Sequence, residues 1–141
     1  MILSHINKEN SDSYYDLTHN RITVRGFSGS DMEEIQILSY PGVLQNIYGI
    51  SLNGRIYSIL NDHYISWNWC GQYPVVNLVY EDSESRTTSL EPFYIKDLMA
   101  YNYIANAYSY LERGCRAINI DGDPRNCNYR NIVYLEPDKR Y

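Results

Sequence analysis

Phenylalanine, histidine and cysteine are all scarce in this 141-residue chain, which holds two, three and three of them. Cys70, Cys115 and Cys127 form no CxxC pair, and His5, His19 and His63 all lie upstream of them. A zinc site built on ordinary ligand spacing has no foothold here, so reduced thiols that pack or sit near the surface are expected. Neither a metal nor a cofactor is expected. Also missing is any apolar run near the roughly 18 residues that a membrane span requires. The start, "MILSHINKENSDS", lacks the basic and long apolar regions of a signal peptide. These absences predict a protein of the cytoplasm or of a particle, with no membrane partner.

Positive charge is short as well, and the formal net charge is -5. Residues 1–40 carry 3 basic and 6 acidic groups, residues 41–92 carry 2 and 5, and residues 93–141 carry 7 and 6. Duplex phosphate is held through several cationic contacts, each adding to the release of counterions. Nucleic acid is therefore disfavoured as a partner by the net charge. Only the last third offers a cationic set, Arg113, Arg116, Arg125 and Arg130, with Asp121 and Asp123 in its midst. It reads as a solvated or partner-facing set, or else as a small nucleic-acid patch.

What is plentiful is tyrosine, with 16 residues, in a chain that is 44% hydrophobic and 21% charged. That composition predicts a folded globular chain. Tyrosine presents an apolar body and a polar tip, which suits half-buried surfaces and protein interfaces. Stacking on bases is the other use, but stacking grooves are normally basic.

Residues 1–38 read as an N-terminal arm with short strands at "RITVRGF" (21–27) and "EIQILSY" (34–40). Residues 39–141 read as an α+β domain. Its first part is a β-meander: "IYGISLNGRIYSIL" sets Asn53-Gly54 between two apolar runs, a strong hairpin signal that calls for positive φ at Gly54. "HYISWNWC" and "YPVVNLVYED" continue it, and "SESRTTSLEP" reads as a polar turn. Spacing then predicts one amphipathic helix over 93–111, stopped by Gly114. Leu98, Tyr101, Ala105 and Tyr108 form its expected core face, which leaves Tyr103 and Tyr110 as candidates to meet a partner.

The chain closes with "INIDGDPRNCNYRNIVYL", residues 118–135. A strand over 117–120, an Asp121-Gly122 turn and a strand over 132–135 make a hairpin. Asn126, Asn128 and Asn131 are placed to tie its loop to the backbone, and Asp121 and Asp123 read as turn formers.

In order, these pieces resemble the small HNH homing-endonuclease family of phages and mobile introns. "YPGVLQNIYGISLNGRIYS" is similar to the family's Pro-Gly … Tyr-x-Val-Ser-x-x-Gly-Arg-Val-x-Ser stretch, and "KDLMAYNY" to its His-Arg-Leu-Val-Ala-x-x-Phe helix. "AINIDGDPRNCNYRNIVY" resembles the hairpin Val-Asn-His-x-Asp-Gly-Asn-x-x-Asn-Asn-x-x-x-Asn-Leu-x-Trp. The resemblance runs over about 40–135. It implies a ββα-type hairpin that carries a histidine base and a bound metal.

The departures from the pattern decide the expected function. Asn119 stands where the family has its base histidine, and a neutral amide takes up no proton at a useful pH. Ile118 offers no metal ligand, and Lys96 replaces the helix histidine. Six residues follow Leu135, too few for the family's closing helix with its second ligand. A degenerate hairpin with no catalytic residue and no metal is the expectation. The chain then reads as a non-catalytic, protein-binding or structural module, with a phage particle as the setting that the resemblance implies. The alternatives are DNA binding without cleavage, or a residual nicking enzyme with His63 folded in as a displaced base.

Overall fold

A computed structural model describes residues 14–18, 20–29 and 31–137. Most of the polar stretch "NKENSDSYYD" and both His5 and His19 lie outside the described residues. Five strands, β1 (Arg21–Arg25), β2 (Met32–Ile37), β3 (Tyr48–Ile50), β4 (Ile56–Ser58) and β5 (His63–Ile65), form an antiparallel meander in chain order. A second sheet joins β6 (Asn68–Cys70), β7 (Tyr73–Glu81) and β8 (Thr88–Tyr94). Then come α1 (Ile95–Tyr103), α2 (Ala107–Glu112) and the hairpin β9 (Arg116–Asn119) with β10 (Ile132–Leu135). The fold is α+β. The two strands expected within residues 1–38 are both present, and β2 pairs directly with β3, Gln36 opposite Ile50.

The Asn53-Gly54 hairpin forms where the alternation predicts it. Tyr48 faces Ser58 and Ile50 faces Ile56 across the ladder. Between the strands, Ser51 N donates to Arg55 O at 2.9 Å, and Ser51 Oγ accepts from the amides of Asn53 and Arg55. Gly54 takes φ +85°, and a Cβ there would lie 2.9 Å from Ile95 Cγ2 and 3.2 Å from Cys127 Cβ. Glycine is needed twice over, for its backbone conformation and for its lack of bulk.

Two readings of the sequence are corrected. Residues 88–92, taken as the end of a polar turn, and 93–94, taken as the start of the helix, form β8 and pair with β7 from Thr88↔Glu81 to Tyr94↔Val75. The turn itself is shorter: Asp82 Oδ1 accepts from the amides of Glu84 and Ser85, and Asp82 N donates to Thr87 O. Six of the seven β8 residues are exposed, so the strand carries no apolar alternation to read. Its Pro92 is tolerated because the strand lies at an edge of its sheet.

The single helix over 93–111 is in fact two. α1 ends at Ile104, which is extended and bridges to Tyr15, and Asn106 is left-handed at φ +60°. The segment at Tyr14–Asp16 docks into the gap. Ala105 N donates to Tyr14 O at 2.7 Å and Asp16 N to Tyr103 O at 2.8 Å, so these groups bond across to it. The break rotates the expected faces. Leu98 is fully buried, but Tyr108 is 60% exposed. Tyr103, read as free for a partner, is 1% exposed and its hydroxyl donates to Ile50 O at 2.7 Å. Tyr110 is half-buried and stacks on Tyr134 at 5.0 Å between ring centroids.

The core gathers where α1 meets the sheets. Ile50, Ile56, Val76, Leu78, Ile95, Leu98, Met99 and Tyr103 are all buried in one cluster with Ile132. A smaller cluster of Val24, Ile35 and Tyr57 lies under β1 and β2.

Gly54→Val should lower stability by ~1 kcal/mol or more, because the left-handed backbone and two close neighbours both oppose a side chain. A chemical denaturation midpoint equal to the native one would contradict that placement. Truncating a buried aromatic costs ~3–5 kcal/mol, so Tyr103→Ala is expected to unfold much of the protein. Tyr108→Ala should leave the melting temperature within a degree or so of native, since exposed sites rarely matter. Thermal melts of the two variants followed by circular dichroism check the pair.

Candidate functional site

The C-terminal hairpin is built around one carboxylate. Asp121 Oδ1 accepts from Asp123 N at 2.8 Å and from Asn131 Nδ2 at 3.0 Å, while Oδ2 accepts from Asn126 Nδ2 at 2.8 Å. Asn131 returns the contact by accepting from Asp121 N at 3.2 Å. These donors hold the Asp121 carboxyl below its ordinary value of 3.8, the Asn126 amide first among them. Asp123 Oδ1 in turn accepts from Arg125 N, and Asn128 caps the 3-10 turn Tyr129–Asn131 by accepting from Arg130 N. The asparagines thus tie the loop, as their spacing predicts, and the two aspartates, expected only as turn formers, accept bonds within it. Asn128 Nδ2 also reaches Asn53 Oδ1 at 2.7 Å, and Tyr129 N donates to Leu52 O, so the two hairpins are clasped together.

Asn119 ends β9 and is 9% exposed. Its Nδ2 donates to Asn126 O at 3.0 Å, which spends the amide on the loop. Burial pushes the neighbouring Cys127 thiol up to about 12, so it is no thiolate at neutral pH. Among the described residues, no three of His, Cys, Asp and Glu stand together as a metal cluster. His63 sits exposed on β5 with Nδ1 3.0 Å from Tyr64 O, and it is not among the residues that line the cleft beside Asn119.

That cleft has a volume of about 340 Å³ and is lined by Tyr73, Lys96, Arg116 and Asn119 with Ile118, Ile120 and Gly122. Lys96 Nζ stands 4.3 Å from the centroid of the Tyr73 ring. A second cleft, of about 510 Å³, runs between the β6–β7 turn and the hairpin loop, with Trp69, Gln72, Asp123 and Arg125 on its walls. Arg125 lies over Trp69 at 5.5 Å. Cations and exposed aromatics are interleaved along this side, in the manner of cation–π contacts.

The four arginines do not form one patch. Arg116 and Arg125 line these two clefts. Arg130 lies over Tyr129 and Tyr15, beside a different cleft. Arg113 covers Tyr110 and pairs with Glu136 at 3.2 Å. The spread follows from the hairpin geometry: 113 precedes β9, 116 begins it, 125 lies in the middle of the loop and 130 near its end. Trp69 and Tyr73, which the sequence reading left in the meander, join the site only through the fold. Their signal would have been two exposed aromatics flanking a Gly-containing turn.

A pH response is expected at the loop. A carboxyl whose folded value is depressed contributes stability above its ordinary value and loses it as the pH falls through the folded one. Loop protection should therefore be intact above pH 3.8 and decline below it. Amide exchange at Asp123 and Asn126, followed by NMR, should show that decline in the native chain and lose most of it in Asp121→Asn. Identical profiles in the two proteins would contradict the role of the carboxylate.

No family model matches the chain, and no curated protein does. A solved structure does match, that of DNA binding and cleavage by the HNH homing endonuclease I-HmuI. The TM-score is 0.52 at 18% sequence identity, over 65% of this chain and 48% of that one. The chain thus spans about half the length of the endonuclease chain. What the two share is the fold, and over that 65% this chain is folded like part of an HNH homing endonuclease.

Proposed function

We propose that this chain is a non-catalytic module of HNH fold, a protein-binding or structural component of an assembly such as a phage particle. The observation that carries this reading is Asn119, whose side-chain amide takes no proton and is already bonded to Asn126 O. Water activation by a histidine has no counterpart at that position. Binding is supported by the exposed apolar side chains Phe27, Leu60, Trp69 and Leu90, which are 53–74% exposed, and by the net charge of -5.

One observation favours a second reading, DNA binding without cleavage. Lys96, Arg116 and Arg125 line the two clefts beside the hairpin together with Trp69 and Tyr73, a combination that suits phosphate and bases. Against it stand the acidic total and Asp123 on the same wall.

Plasmid nicking assays with magnesium, manganese or zinc should show no cleavage above background. Metal-dependent nicking that disappears in Asn119→Ala would sink the non-catalytic reading. Mobility shifts on duplex DNA separate the other two: the protein-binding reading expects none at low salt. A shift that salt weakens, and that Lys96→Ala with Arg116→Ala removes, would establish the DNA-binding reading instead.

A further inference from the structure

A third cleft, of about 550 Å³, lies apart from the hairpin, between β2, the 45–46 turn and the break between α1 and α2. Its volume falls within the ~300–1,000 Å³ typical of small-molecule sites. Side-chain amides dominate the wall: Asn20, Gln45, Asn46 and Asn106 are exposed there. Each of these four makes no side-chain hydrogen bond among the described residues. The neighbouring Asn102 differs, since its amide is wholly spent on Ser39 and Leu98. Two tyrosines complete the wall, Tyr101 and Tyr108. Tyr101 packs edge-on against Tyr40, whereas the Tyr108 ring is 60% exposed and contacts no other aromatic ring among the described residues.

Asn46 and Asn106 are both left-handed, at φ +67° and +60°. Glycine takes that conformation without strain and does so elsewhere in the chain, at Gly54 and Gly114. What asparagine adds at 46 and 106 is a side-chain amide at residues that line the same cleft.

The chemistry of the wall selects its ligand. Among the described residues no lysine, arginine or histidine lines the cleft, and Asp16 is the one charged residue there, so phosphate and carboxylate ligands meet no described cation. A carboxamide both donates and accepts, which matches a hydroxyl group that does the same. A tyrosine ring offers an apolar face with a polar tip. A pyranose has the complementary duality, an apolar C–H face and a rim of hydroxyls. We propose that this cleft is a saccharide-binding site, in which Tyr108 stacks on a sugar ring and the amides of Asn20, Gln45, Asn46 and Asn106 bond its hydroxyls.

Titration calorimetry and ligand-observed NMR on the full chain test this with three neutral probes: maltotriose, cellotriose and chitotriose. At least one should bind. Its affinity should fall about ten-fold, a loss of one contact group, in Tyr108→Ala and in Asn106→Gly, which keeps the left-handed backbone while removing the amide. Both variants should melt as the native chain does, and Asn46→Gly serves in place of either one that does not. Lys96→Ala, on the cleft beside Asn119, should bind as native. Failure of all three probes at millimolar concentration would overturn the proposal, as would binding that survives in the cleft variants or is lost in Lys96→Ala.

Discussion

Burial of α1 between the sheets and the C-terminal hairpin is the constraint on which the other elements depend. Ile95, Leu98 and Met99 are fully buried along it, and Tyr103 nearly so. Each such side chain contributes roughly 1.5–3 kcal/mol through apolar burial. Polar anchors then fix the register of the helix. Gln36 Nε2 donates to Asn102 O, the Asn102 side chain bonds both N and O of Ser39, and the Tyr103 hydroxyl reaches Ile50 O. Buried polar groups cost free energy unless satisfied, so these bonds reject any slip of the helix along the sheet.

The tyrosines serve the same end. Tyr15 donates to Ile132 O, Tyr48 accepts from Val79 N, and Tyr14 accepts from Tyr134 N. Each ties two elements distant in sequence, with the ring in the core and the oxygen on a backbone group. Phenylalanine fills similar space but leaves such backbone groups unpaired. Burial pushes the phenols of Tyr15 and Tyr40 up to about 12, so these rings stay neutral at physiological pH. The abundance of tyrosine is therefore accounted for largely inside the molecule.

At the hairpin, side-chain amides gathered on one carboxylate hold the loop. Asp121, Asn126 and Asn131 form a closed set of hydrogen bonds, and Asn119 joins it from β9. The loop keeps its shape through neutral donors, which leaves the adjoining clefts as the parts of the surface available to a ligand. Fold by itself does not fix activity, because a scaffold is held by many contacts and a reaction by a few groups.

The sequence by itself determined the local devices. Asn53-Gly54 specified its hairpin and Gly54 its positive φ, since only glycine fits that turn cheaply. The spacing of Asn126, Asn128 and Asn131 specified the tied loop, because side-chain-to-backbone bonds span only a few residues. The amide at position 119 was also legible, as one residue type at one position. Tertiary structure decided what depends on distant partners. The break at Ile104–Asn106 exists because Tyr14–Asp16 bonds the freed backbone, and helical periodicity cannot report a segment some 90 residues away. β8 exists because β7 pairs with it, although its own residues face solvent. Tyr73, Lys96 and Arg116 meet only after β7, α1 and β9 pack, Trp69 meets Arg125 across a separate cleft, and none of them leaves an apolar pattern to read.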